Sequence, residues 1–365
     1  MPRMRRRALL KLIAASATAA ALSPSWHARA HYPSYPVPPE PALVDATQPW
    51  VLTGRAIYTV AFYEEPSTSS ARLDTRTRDQ SFPITGEVRA PFSAHNDLWY
   101  QTPLGYVHSA WVLPVRVYAP QPLISELGEW GFWGEVSQVF TDARAQPSLN
   151  AGIVYRFYGG NVFHVVDAFL DEAGTGWYKV FDEFPPTSPR YQWVLARDMR
   201  RIPRAEMSPI HPFVGNKRVE VSLDEQRLTC FEGDTVAFST LVASGLGQVE
   251  GDPATDLATH RGETTVLLKQ PSRHMSNIPY KEDMPTPGET FDLPGIPWNT
   301  FFALSGTAIH GTYWHNDFGI RRSHGCLNVS SEAARWIYRW VHPIGGYEDD
   351  FIQSDRRVGT PIHIF

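Results

Sequence analysis

Between Ile309 and Asn328 the chain reads Ile-His-Gly-Thr-Tyr-Trp-His-Asn-Asp-Phe-Gly-Ile-Arg-Arg-Ser-His-Gly-Cys-Leu-Asn. That stretch holds three of the thirteen histidines and one of only two cysteines. A thiol with a free pKa of about 8.5 is mostly protonated at neutral pH and a poor nucleophile. A neighbouring imidazole removes that limitation by taking the proton. His310 lies sixteen positions before Cys326. For the two to meet, a strand must end near His310 and a loop must return past Gly319. Ser323-His324-Gly325-Cys326 then reads as a tight turn. There Gly325 lets backbone N–H groups approach a carbonyl under attack, as an oxyanion hole requires.

A chain of 365 residues exceeds one typical core, so two or three domains are expected. Thirty-one prolines and twenty-six glycines, with few long helical patterns, point to a mainly β, loop-rich structure. Without the six cationic residues among the first thirty, the net charge falls from −5 to about −11. Such a balance argues against nucleic acid or anionic lipid as the main partner. Two cysteines make no disulfide framework and no CxxC metal pattern.

Residues 1–30 carry Arg3, Arg5, Arg6, Arg7, Lys11 and Arg29 and no acid. Arg6-Arg7 precedes an uncharged run, Leu12 to Leu22, that is too short to span a bilayer, and Ala28-Arg29-Ala30 supplies a small-residue cleavage site. The ensemble resembles a bacterial twin-arginine export signal, with Leu9 where the motif prefers Phe. That resemblance implies an extracytoplasmic location and no stable membrane span. Residues 31–50, with six prolines, read as a linker.

Two segments then share a layout. Gly54 to Ser67 parallels Gly134 to Ser148, and Trp99-Tyr100 with Tyr106-Val107 parallels Trp177-Tyr178 with Trp193-Val194, at an offset of about 80 residues. A duplication of short-stranded β modules follows, over 51–118 and 130–203. Both resemble bacterial SH3-type domains, which in cell-wall enzymes often bind or position peptidoglycan. Trp99, Trp111, Trp177 and Trp193 read more readily as core than as a ligand platform, since small barrels bury aromatics to reach adequate area.

From 214 to 365, Arg218–Leu223, Arg227–Phe231 and Thr235–Val242 alternate as strands, with a turn at Glu232-Gly233-Asp234 and another at Ala243-Ser244-Gly245. Pro271 to Pro297 lacks periodicity and reads as a long loop, which inside a compact domain is usually functional. Thr300–Leu304 reads as a buried strand. Ser330 reads as the cap of a helix with apolar positions Ala333, Trp336, Ile337, Trp340 and Val341. Thr360–Ile364 closes the sheet, and Cys230 reads as strand filler.

His-Gly-Thr, a lone Gly, then Ser-His-Gly-Cys resembles the signature of the L,D-transpeptidases (YkuD-type catalytic domain), enzymes that remodel bacterial peptidoglycan. The resemblance covers roughly the last 150 residues. It departs at Thr259-His260-Arg261-Gly262, where His260 stands in place of the family's Pro. It implies two small SH3-like barrels followed by a β-sandwich catalytic domain with one substantial helix. It also implies Cys326 as nucleophile and His310 as general base, with the Gly311 carbonyl orienting the imidazole. Gly325 and His324 then shape the oxyanion site, while Ser323, Arg322 and Asn328 line the cleft. The 271–297 loop becomes a lid, with Tyr280, Met284 and Trp298 as contacts. Trp314 and His315 stay open between substrate contact and packing.

The implied substrates are peptidoglycan stem peptides, the implied inhibitors are carbapenem-type β-lactams, and neither metal nor organic cofactor is required. Three alternatives remain on the sequence. One is an L,D-carboxypeptidase that hydrolyses the same acyl-enzyme. Another is a metallopeptidase with His310, His315, His324 and Cys326 as zinc ligands, for which neither the HExxH spacing nor a nearby acidic base is present. The last is a non-catalytic wall-binding protein. A Cys230–Cys326 disulfide, conceivable after export, would silence the nucleophile.

Overall fold

The computed structural model describes residues 49–183, 190–248, 256–278, 290–354 and 358–365. The expected export signal, the expected linker up to residue 48, Tyr280 and Met284 lie outside the described residues. The protein is mainly β, built of several small sheets with few helices. Among the described residues no helix is long and apolar enough to cross a membrane.

Short runs of alternating apolar residues lay down strands in three consecutive groups. The first comprises β1 (Trp50–Ala56), β2 (Val60–Tyr63), β3 (Arg72–Arg76), β4 (Ser81–Pro83), β5 (Gly86–Arg89), β6 (Leu98–Thr102), β7 (Gly105–His108) and β8 (Val112–Tyr118). They form sheets of order β4-β1-β8 and β3-β2-β7-β6-β5. The second comprises β9 (Phe132–Val136), β10 (Phe140–Arg144), β11 (Ile153–Tyr158), β12 (Val162–Leu170), β13 (Gly176–Phe181), β14 (Tyr191–Leu195) and β15 (Met199–Arg201), in one sheet of order β11-β10-β14-β13-β12-β9-β15.

The two orders are the same once β12 is matched to β4 and β5 together. In the second module one nine-residue strand with a register shift after Val165 runs through both halves. Each module also has a 3-10 turn before its last strand, Ser109–Trp111 and Ala196–Asp198. The internal repeat is thus a repeat of topology. Trp99 and Trp177 are fully buried cores of their modules, whereas Trp111 and Trp193 are partly exposed.

After helix α1 (Arg204–Met207), the third group comprises β16 (Lys217–Ser222), β17 (Arg227–Glu232), β18 (Thr235–Leu241), β19 (Gly247–Gln248), β20 (Asp256–Leu257), β21 (Gly262–Thr265), β22 (Leu268–Ser276), β23 (Asp292–Phe301), β24 (Ala308–Gly311), β25 (Leu327–Val329), helix α2 (Ser331–Trp340), β26 (Ile352–Gln353) and β27 (Pro361–Ile364). Two five-stranded sheets, β18-β17-β16-β27-β21 and β25-β24-β23-β22-β26, carry this part.

Helix α2 packs on β23 and β24 and stacks Trp336 on Phe238 of the other sheet at 4.5 Å. Its start is set by Ser330, whose Oγ accepts the Ala333 N–H at 3.1 Å, a cap worth about 1 kcal/mol. At the other end its carbonyls would be buried orphans. The Lys217 ammonium donates to Trp340 O (2.7 Å), and that of Lys269 to Tyr338 O and Val341 O (2.8 and 3.1 Å). Burial brings Lys269 down to about 7.

The loop expected over Pro271–Pro297 is largely a hairpin. β22 and β23 pair from Leu268↔Phe301 out to Ser276↔Asp292. Proline disguises them, because it cannot donate to a ladder. Here Pro271 lies past the β26 pairs at 268–269, and Pro294 and Pro297 lie past the β24 pairs at 300–301. Trp298 is fully buried beside Tyr338 in the core, so it is not a substrate contact. The strand expected over Thr300–Leu304 likewise ends at Phe301.

A charged imidazole fastens this hairpin to the second module. His274 Nδ1–H donates to Asp182 (2.8 Å) and Nε2–H to Asp292 (2.7 Å), with Tyr155 OH donating to the second oxygen of Asp292. Burial opposes the charge, but the two carboxylates outweigh it and raise the pKa to about 9. A pKa raised above the unfolded value stabilises the fold fully below about pH 6.5 and loses that contribution as pH rises through 9. Thermal melts from pH 6 to 10 should show the wild type losing stability toward pH 9–10. His274→Gln should start lower and lack that component of the pH dependence.

Candidate active site

His310 stands on β24, and Cys326 immediately precedes the adjacent parallel strand β25. β24 and β25 pair Ile309↔Leu327, His310↔Asn328 and Gly311↔Val329. Side chains alternate along a strand, so His310 and Asn328, two residues after Cys326, share a face.

His310 is 3% exposed, and its Nδ1 lies 3.0 Å from the Gly311 carbonyl. A carbonyl only accepts, so Nδ1 carries the hydrogen and Nε2 keeps its lone pair, the form of a base. Gly311 admits no side chain, because a Cβ would come within 2.9 Å of Pro297 Cγ and Ser331 Cα. Trp314 stands beside the imidazole, with ring centroids 5.9 Å apart.

Cys326 is half-buried and free, as is the fully buried Cys230 in β17, so no disulfide silences the nucleophile. Burial pushes the Cys326 thiol up to about 11, opposed in part by a backbone hydrogen bond from Ala308. Burial also pulls His310 down to about 4. The resting pair is therefore neutral thiol and neutral imidazole, in place of the preformed ion pair that a reactive cysteine suggests.

The Ser323–Cys326 turn is a clamp. Ser323 Oγ donates to Cys326 O at 2.5 Å and accepts the Gly325 N–H at 3.2 Å. The Gly325 N–H assigned to the oxyanion site is thus already bonded, and Ser323, 5% exposed, is a turn brace in place of a cleft wall. Gly325 has φ +115°, which side-chain-bearing residues rarely adopt.

Thr259, outside the residues singled out in the sequence, accepts the Gly245 N–H at 2.9 Å and donates to Gly325 O at 2.7 Å. The Ser244 carbonyl accepts from the N–H groups of Arg322 and Ser323. These small-residue turns gave no chemical signal of their own. Only the partial match at Thr259-His260-Arg261-Gly262 hinted at them.

His324 is exposed, its ring 5.2 Å from Phe291, outside the buried orienting set. Among the described residues no three His, Cys, Asp or Glu side chains are grouped so as to hold a metal ion, the four offered as zinc ligands included. Arg322 is half-buried and donates to Asp317 at 3.0 Å. Asn328 is 2% exposed, so it lies beneath the cleft, and its amide is 3.0 Å from His315 Nε2.

His315 is held neutral, its pKa lowered to about 3 by burial and by the charge of Arg322. A neutral imidazole has one N–H. Its Nδ1 lies 3.4 Å from the Asp317 backbone nitrogen, and the Asn328 Nδ2 lies 3.0 Å from its Nε2. The Asn328 Oδ1, at the other end of that amide, is buried and without a partner among the described residues.

Residues 216–364, about two-fifths of the chain, match the family model described as the L,D-transpeptidase catalytic domain (YkuD), so this part of the chain carries that domain. A comparison with curated proteins finds no match. Among solved structures, the chain is similar to an Enterococcus faecium L,D-transpeptidase (C442S mutant) at 21% identity. That match covers 42% of this chain and 52% of the other, with a TM-score of 0.30. It is similar to an L,D-transpeptidase from Mycobacterium smegmatis at 15% identity over 69% and 90% of the two chains, with a TM-score of 0.31. L,D-transpeptidase 3 from Mycobacterium tuberculosis, in complex with a faropenem-derived adduct, matches at 16% identity over 52% and 90%, with a TM-score of 0.30. The chain spans about half the length of the first of these structures.

Two measurements check the electrostatics. A thiol near 11 leaves roughly one thiolate in ten thousand at pH 7. Iodoacetamide alkylation of Cys326 should therefore quicken about tenfold per pH unit from 7 to 10, whereas a plateau starting below pH 7 would reveal an ion pair. Long-range ¹⁵N–¹H NMR should find the His315 ring neutral at pH 5, and a doubly protonated ring there would show that burial does not hold it neutral.

Proposed function

We propose that this protein is a peptidoglycan L,D-transpeptidase that forms 3→3 cross-links through a thioester on Cys326. The observation that supports this reading is the parallel pairing of His310, its Nδ1 tied to the Gly311 carbonyl, with Asn328, two residues after Cys326. The catalytic-domain match over residues 216–364 supports it.

The Cys326 sulfur attacks the carbonyl between the L-centre of the third, diamino-acid residue and D-Ala at position four of a stem tetrapeptide. His310 Nε2 takes the thiol proton as the C–S bond forms. The tetrahedral oxyanion accepts a hydrogen bond from the Cys326 N–H. Cleavage of the C–N bond expels D-Ala, whose amine takes the proton from His310. A side-chain amine of a neighbouring stem then attacks the thioester, forms the cross-link and returns the proton to sulfur. Neutral partners suit this sequence, since charge develops only with the C–S bond. Arg322 and Trp314 edge the substrate cleft, and residues 1–30 direct twin-arginine export to that wall. The repeated β modules are SH3-like in this reading.

Intact mass after incubation with a carbapenem should show one acyl adduct on the wild type and none on Cys326→Ala. His310→Gln should slow acylation by about 10²–10⁴-fold, the range for a lost general base. Disaccharide-tetrapeptide should yield dimer plus D-Ala. Monomer alone under every condition would assign hydrolysis, and no adduct with unchanged substrate would end the enzymatic reading.

A further inference from the structure

The segment joining base to nucleophile is gripped by residues from a part of the chain outside the matched catalytic domain. Arg55 of β1, 2% exposed, donates from Nη2 to the Tyr313 carbonyl and from Nη1 to Asp79 at 2.8 Å. Its guanidinium lies 4.1 Å over the Tyr158 ring, and Tyr158 OH donates to the other oxygen of Asp79. Three residues on, the Asn316 amide donates to Tyr100 OH (3.1 Å) and Ser109 O (3.3 Å). His95 Nε2 then meets Asp317 at 3.0 Å, the carboxylate that also holds Arg322. Gly319 approaches so closely that a Cβ there would sit 3.2 Å from His95 Cβ.

Behind the same segment, Thr312, His315, Asn316 and Phe318 line a small, partly open cavity of about 70 Å³ between β8, β9 and the start of α2. Beyond its contacts within the matched domain, the segment is held by the polar anchors on the first module and by Tyr313, packed between Ile57, Leu113, Val115 and Ile296. The Gly311 carbonyl that fixes the His310 tautomer stands two residues before the carbonyl held by Arg55.

We infer that the first β module is a positioning element of the catalytic site, with Arg55 acting through the Tyr313 carbonyl to keep His310 in its base form and His95 acting as a second anchor through Asp317. This rests on the transpeptidase reading for its kinetic readout only. A purified catalytic domain lacking residues 49–120 would then be a poor catalyst whatever the fate of wall binding.

The test uses the full chain with Arg55→Ala, Arg55→Lys, His310→Gln and the double variant Arg55→Ala/His310→Gln. In the wild type, long-range ¹⁵N–¹H NMR should show His310 as a single Nδ1–H tautomer. Arg55→Ala should give a tautomer mixture, and Arg55→Lys should restore most of the Nδ1–H signal. Carbapenem acylation should fall at least tenfold in Arg55→Ala, chiefly in the maximal rate. The double variant should be no slower than His310→Gln alone, because residues acting through one group are not additive.

An unchanged His310 signal, or losses that multiply in the double variant, overturns the proposal. If Arg55→Ala does not fold, His95→Ala, at a more exposed site, carries the same two readouts and decides it. If the wild type takes no adduct, the transpeptidase reading fails separately and the NMR result alone decides the positioning role.

Discussion

His310 and the residues that follow Cys326 stand side by side only because a long intervening segment is closed by the parallel pairing of Ile309 with Leu327 and His310 with Asn328. Closing such a loop costs conformational entropy that grows slowly with its length, and holding it in one shape costs far more. The protein meets that cost from several sides. Val242 O accepts the Gly319 N–H, Ser244 O accepts from Arg322 and Ser323, Thr259 holds Gly325, and the first module holds Tyr313, Asn316 and Asp317.

The chemistry of the site was legible because its carriers are local in sequence. His310, Gly311 and Cys326 lie in one short stretch, and the helix after it announces itself through Ser330 and the apolar spacing of Ala333, Trp336, Ile337 and Trp340, all buried. What was hidden is what depends on distance. Arg55 and His95 reach the site across more than two hundred residues, and a buried arginine on a short strand looks like any surface charge until its partner is known. Prolines at 271, 294 and 297 concealed the β22–β23 hairpin, since nothing local shows that the adjacent strands fall short of them. Gly325 was rightly read as conformationally necessary, yet its N–H could be assigned to a substrate only by overlooking Ser323 two residues away.

Burial governs the electrostatics throughout. A charged group taken out of water must find a partner or become neutral. His274, between two carboxylates, stays protonated, and Lys269 rests against the carbonyl end of α2. Glu135, Arg200, Glu206 and Arg335 neutralise one another where the second module meets α1 and α2. Cys326 and His310 have no such partner, and burial drives both toward their neutral forms. One rule thus keeps His274 charged between its two carboxylates and pushes Lys269, with only carbonyls for partners, toward neutrality together with His310 and Cys326.

The repeated topology makes the division of labour between the modules concrete. The second module fastens scaffold: Asp182 to the β22–β23 hairpin, Asn161 to Pro294 O and Gly295 O of the same hairpin, and Glu135 to α2 through Arg335. The first contributes its anchors instead to the segment between base and nucleophile. Asp79, bound by Arg55 and Tyr158, and Tyr158 stacked on Tyr313 join the two sets of contacts. Two β units of the same strand order therefore dock through different residues, and the polar side chains placed on each decide whether it stabilises the frame or the segment between His310 and Cys326.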